Sequence, residues 1–96
     1  MIRQITMVKF KPEVTAEDIV RVGEGFAAIS SVVPGIHRFE FGPNLKLMEG
    51  TWDYALVIDF ADEAAMRGYA GHPDHIAFAQ QFVPLGEAVA RVHYTV

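Results

Sequence analysis

The chain has no cysteine among its 96 residues. Disulfides, thiolate metal ligands and thiol nucleophiles are therefore excluded, and the absence fits the reducing cytoplasm in which the protein is expected to reside. Charge of one sign is nowhere concentrated. Eight Lys and Arg are interspersed with twelve Asp and Glu, for a net charge of −4. A nucleic-acid-binding domain would gather basic residues on one face, so no nucleic-acid partner is expected. No apolar run approaches the ~20 residues that span a bilayer, and no basic amphipathic segment suits a membrane surface. The start, Met1-Ile2-Arg3-Gln4-Ile5-Thr6, lacks the apolar stretch of a signal peptide. Internal repeats, low-complexity tracts and linkers are also missing.

Half of the residues are hydrophobic (51%), enough for one core, and the length suits one domain over residues 1–96. A domain this small leaves much of its surface in water and gains from oligomerising. Residues 2–10 alternate as a strand, with Ile2, Gln4, Thr6, Val8 and Phe10 on one face and Arg3, Ile5, Met7 and Lys9 on the other. Thr15 through Asp18 resembles a capping box, and Val14 and Ile19 are placed for a hydrophobic staple. Ile19, Val22, Phe26, Ile29 and Val33 recur at helical spacing until Pro34-Gly35. Gly23 and Gly25 each weaken that helix by roughly 1 kcal/mol relative to Ala. A second strand is expected over 36–42, with His37, Phe39 and Phe41 on one face. A third runs from Trp52 to Phe60, after a turn-rich loop at 43–51. Two short helices follow, Glu63 to Ala70 and Pro73 to Phe82. The first turns Met66 and Tyr69 or Ala70 inward; the second turns Ile76, Ala79 and Phe82 or Val83 inward. Gly71 is expected to end the first in a left-handed conformation. A last strand covers 88–96.

The order β-α-β-β-α-β predicts an α+β, ferredoxin-like domain: a four-stranded antiparallel sheet with helices on one face. In a monomer the other face would be polar. Here Ile5 and Met7 on strand one and Ala55 and Val57 on strand three make its centre apolar as well. Two sheets closing face to face in a homodimeric barrel would cover it. Trp52 and Tyr54 suit either that interface or the core.

The segment Tyr69-Ala70-Gly71-His72-Pro73-Asp74-His75-Ile76-Ala77-Phe78 places two imidazoles and a phenol close together. Pro73 suits the first turn of a helix. His75 then falls in that turn and Tyr69 in the last turn of the preceding helix, where both can face one cleft. His72 suits a helix cap. Together with the opening Ile2-to-Lys11 strand, Val33-Pro34-Gly35-Ile36, Phe41-Gly42, the Tyr54-to-Phe60 strand and His93-Tyr94, this segment resembles the stress-responsive dimeric α/β-barrel (Dabb) domain family across essentially the whole chain. The resemblance implies a homodimeric barrel. In a plant branch, the olivetolic acid cyclases, it implies aldol closure of a polyketide in a pocket between sheet and helices. There Tyr69 and His75 match two of three catalytic positions. The third, a histidine in the family's first strand, is Gln4 here, which can exchange hydrogen bonds but not protons.

Each candidate has two readings. His75 is a general acid or base, given an ordinary pKa near 6.5, or it holds a helix end. Tyr69 donates to a carbonyl or oxyanion, or is a core tyrosine. Gln4 and Thr6 are polar on a strand face that should be buried, and need partners. A cavity walled by Val8, Val22, Phe26, Leu56, Phe78 and Val89 would supply them, with Gly23 removing bulk from its roof. His72 and His75 straddle a helix start, Asp74 is expected to point to solvent, and His37 and His93 are distant in sequence, so no metal is expected; nor is any other cofactor. Three functions fit: a dimeric barrel binding a small apolar or aromatic metabolite, a cofactor-independent cyclase-like enzyme using His75 and Tyr69, and a non-catalytic structural stress protein.

Overall fold

Alternating side chains build strand β1 (Ile2–Phe10) at the heart of the computed structural model, which describes residues 1–96. After it come helix α1 (Ala16–Ser30), strands β2 (Ile36–Pro43) and β3 (Tyr54–Phe60), helices α2 (Glu63–Gly71) and α3 (Pro73–Phe82), a 3-10 turn at Val83–Leu85, and strand β4 (Gly86–Thr95). The strands pair antiparallel in the order β2-β3-β1-β4. This is the ferredoxin-like arrangement the sequence predicts. No helix is long and apolar enough to cross a membrane.

The capping box at Thr15 forms in full: Asp18 N–H donates to the Thr15 hydroxyl, and Thr15 N–H to the Asp18 carboxylate. It starts α1 in register to bury Val22, Phe26 and Ile29 against the sheet. Val8, Phe10, Tyr54, Leu56, Ile58 and Phe60 meet them from below, and Tyr69 closes the core from α2. Tyr54 thus belongs to the core. Two glycines permit this packing. A Cβ on Gly25 would lie 2.1 Å from the Phe78 ring, so only glycine lets α1 and α3 approach this closely. Gly35 has φ +79° and its Cβ would fall 2.7 Å from that of Ala65.

Several local expectations are corrected. Strand β3 starts at Tyr54 rather than Trp52, because Asp53 turns its carboxylate to accept the Phe10 N–H (2.8 Å) and the Asn44 amide closes on the Trp52 carbonyl. A bulge between Ile36 and Arg38 sends His37 to solvent, so Ile36 joins Phe39 and Phe41 on the helix side. Gly71 is helical, not left-handed; the only glycines with positive φ are Gly35 and Gly50. Helix α2 ends instead because His72 precedes a proline and is pushed to an extended conformation (φ −65°, ψ 134°). Ile76 and Val83 stay exposed, because α3 turns Phe78 and Phe82 inward to stack on each other at 5.5 Å. Strand β4 begins two residues early, at Gly86.

Across the sheet from the helices, the pairing register places Ile5 beside Val57 and Val92, and Met7 beside Ala55 and Ala90. One edge of this apolar centre carries a charged network. Arg3 donates to both carboxylate oxygens of Asp59 (2.7 and 2.9 Å), and Arg38 lies 3.5 Å away. The Arg3 guanidinium holds the Asp59 carboxyl below the usual carboxylate range. A depressed folded pKa adds stability that is full above the unfolded value of ~3.9 and is lost as pH falls through the folded one. Thermal melts should therefore show wild type above Asp59→Asn at pH 7, with the gap closing on acidification. A gap that stays constant down to pH 2 would refute this linkage.

Candidate functional site

The junction of α2 and α3 is built by His72 and Pro73. His72 caps α3, its Nδ1 accepting the Asp74 N–H at 3.1 Å, and Pro73 fills the first helical position, where no N–H is needed. The tight join sets His75 under the end of α2. Its Nδ1 donates to the Ala70 carbonyl at 3.1 Å, which leaves Nε2 as the unprotonated nitrogen of a neutral ring. Partial burial lowers the His75 pKa and so favours that neutral form. The ring packs on Tyr69, centroid to centroid 4.3 Å. Tyr69 is itself wedged against Phe60 and Phe39. Burial pushes its hydroxyl up to a pKa of about 12, so it is a donor at any physiological pH. No side-chain polar atom sealed from solvent lacks a partner, and Tyr69 makes no side-chain hydrogen bond, so its hydroxyl opens onto the adjoining cavity.

Strands β1 and β4 supply the opposite wall. Their register sets Gln4 beside His93, Thr6 beside Arg91 and Val8 beside Val89. The Gln4 carbonyl oxygen can only accept, so His93 Nε2–H donates to it (2.9 Å). The Gln4 amide in turn donates to the Thr6 hydroxyl oxygen (3.2 Å). Both polar residues are buried, and this relay satisfies them. It also leaves the Thr6 hydroxyl proton free to donate elsewhere.

Between these walls lies a cavity of about 200 Å³. All the residues nominated from the sequence as catalytic or ligand-binding line it: Tyr69 and His75, with Gln4, Thr6, Val8, Phe26, Leu56 and Phe78. Val89 lines it too. Val22 does not; it is packed in the core. Gly23 does not roof it; a Cβ there would meet the Tyr54 hydroxyl at 3.4 Å, an ordinary contact. Arg91 lines the cavity and His93 holds Gln4 at its edge, and neither is among the sequence candidates for the site. The available signal was the alternation Val89, Arg91, His93 in the last strand, but it needed the β1–β4 register to show that this face meets Gln4 and Thr6. Nowhere do three His, Asp or Glu side chains converge as metal ligands, and His72 Nδ1 is committed to its cap.

A family model described as the stress responsive A/B barrel domain matches residues 2–96. The stress-response A/B barrel domain-containing protein HS1 of Arabidopsis thaliana is 22% identical over 95 residues, 97% of this chain and 87% of that protein. A dimeric ferredoxin-like protein of unknown function from Thermobifida fusca superposes with a TM-score of 0.94 at 27% identity, over 99% of this chain and 90% of that one. The hydroxynitrile lyase of Passiflora edulis shares the fold, with a TM-score of 0.87 at 17% identity, over 99% and 92% of the two chains. With its fold, its helix junction and this match over nearly its whole length, the chain belongs to the stress responsive A/B barrel domain family.

Proposed function

We propose that this protein is a homodimeric barrel, acting in the cytoplasm, that binds a small, largely apolar or aromatic metabolite in the cavity between its sheet and helices. The observation that carries the binding reading is a partly enclosed, mostly apolar space bordered by a few placed polar groups, the usual make-up of a ligand site. Its volume, about 200 Å³, suits one aromatic ring with a short substituent, since a dry cavity of ~150 Å³ accepts benzene. The dimer reading rests on the apolar open sheet face and on the dimeric Thermobifida relative. In the loop after β2, Leu45, Leu47 and Met48 are each more than three-quarters exposed, and the loop's ends at Asn44 and Gly50 line a groove with Met7 and Ala55.

The test of binding is an amide NMR titration with toluene. Shifts should concentrate at Gln4, Phe26, Leu56 and Phe78. They should vanish in Val89→Trp, a half-exposed wall position where a large ring fills the space while the melting temperature holds. Shifts scattered over the surface, or unchanged by Val89→Trp, would sink the reading and favour a purely structural protein.

An enzymatic reading has one specific support, the free Nε2 of a neutral His75 beside the Tyr69 donor. His75 would take an acidic proton next to a ketone while Tyr69 steadies the developing oxyanion, as in cyclase-like chemistry. Its mark would be exchange of the acetophenone methyl protons in D₂O, lost in His75→Gln.

A further inference from the structure

Arg91 is the one charged side chain on the cavity wall. It forms none of the ion pairs in the structure, which join Arg3, Arg21, Arg38, Lys46 and Arg67 to carboxylates. It makes no side-chain hydrogen bond either. None of the twelve acidic residues lines this cavity or the adjoining cleft formed by Gln4, Met66, Tyr69, Ala70, His75, Arg91 and His93. A solvent-exposed cation with no carboxylate partner thus borders an apolar space in an otherwise acidic protein. It lies on the helix side of the sheet, opposite the face of Met7, Ala90 and Val92, so a partner sheet closing on that face would not reach it.

Two of the neighbouring polar groups offer protons, beside the unprotonated Nε2 of His75, which accepts. Tyr69 presents a hydroxyl that stays protonated. Thr6, the cross-strand partner of Arg91, accepts from Gln4 on one of its two lone pairs and keeps its proton to give. A neutral ketone needs one such donor. Several donors around a full positive charge match a carboxylate, whose oxygens only accept and which Arg can engage with two parallel N–H groups.

Building on the ligand-binding reading, we propose that Arg91, with Thr6 and Tyr69, forms the anion-binding end of the cavity, and that the ligand is a small aryl carboxylate of about one ring. The apolar wall of Phe26, Leu56, Phe78 and Val89 takes the ring, and the carboxylate meets Arg91.

The experiment compares benzoate with toluene on the full-length protein by NMR titration at pH 7, in wild type and Arg91→Gln. Benzoate should bind wild type about 10-fold or more tighter than toluene, the size expected of a charge-assisted hydrogen bond, and should weaken as salt is added. Arg91→Gln should erase that advantage and the salt dependence, with toluene binding retained. Equal binding of the two ligands by wild type, or a benzoate advantage that survives in Arg91→Gln, overturns the anion site while the cavity reading stands. If neither ligand binds wild type, both fall. Arg91 is exposed and outside the hydrophobic core, so the variant should fold; unchanged far-UV dichroism and melting verify this.

Discussion

Val57→Asp is expected to convert the proposed dimer into a monomer. Val57 sits at the middle of the open sheet face, paired across the strands with Ile5 on one side and Glu40 on the other. In a face-to-face barrel the opposing sheet would cover position 57 in both copies, so one substitution buries two like charges. Each unpaired buried charge costs several kcal/mol, and Glu40 adds repulsion of the same sign. Because ~1.4 kcal/mol is tenfold in affinity, the dissociation constant should rise by on the order of 1,000-fold or more. Sedimentation velocity at micromolar protein should show the slower species. Melting temperature should also fall, since partner binding stabilises the folded chain by mass action. Val20→Asp on the exposed side of α1 is the matched control and should leave the dimer intact. A dimer that persists in Val57→Asp would mean that the chain does not associate through this face.

Phe26→Ala should be the most destabilising single change near the cavity. The ring is 4% exposed and contacts Phe39, Phe41, Tyr54, Phe78 and Phe82, at centroid distances of 4.8 to 6.1 Å. It is both the hub of the aromatic core and a wall of the cavity. Truncating a buried Phe costs about 3–5 kcal/mol, as lost transfer energy plus the void left behind. In a domain of this size each kcal/mol moves Tm by about 4–8 °C, so at fixed protein concentration the loss should be obvious by calorimetry or urea titration. The surviving folded fraction should also bind larger aromatic probes, because the new void merges with the existing cavity. A loss under ~1 kcal/mol would show that the ring is not tightly held and that the cavity wall is soft.

The two substitutions act on features of different legibility. The apolar open face could be read from sequence, because strand side chains alternate with period two. Ile5 and Met7 opposite Val8 and Phe10, and Ala55 and Val57 opposite Leu56 and Ile58, show both faces filled at the centre. The same rule put Gln4 and Thr6 on the buried side, and the helix spacing put Phe26 over them. Local chemistry foretold the Thr15 capping box and the His72 cap, since both depend on side chains reaching backbone groups within three residues. The rule failed wherever one residue changed the count. The bulge at His37 shifted its face, and α3, seated through Phe78 against Gly25, leaves Ile76 exposed.

By itself, then, the sequence determined the βαββαβ order, the two apolar faces of the sheet, and the closeness of Tyr69 to His75, because each follows from periodicity or from caps and turns acting over a few residues. Only the tertiary structure decided the polar end of the cavity. His93 reaches Gln4 across 89 positions of chain, and Arg91 stands beside Thr6 only because β4 pairs antiparallel to β1 in one register. A shift of one residue would have turned Arg91 to the opposite face and left the cavity without a charge. Strand register is fixed by the packing of the whole sheet against its helices, and no local pattern encodes it.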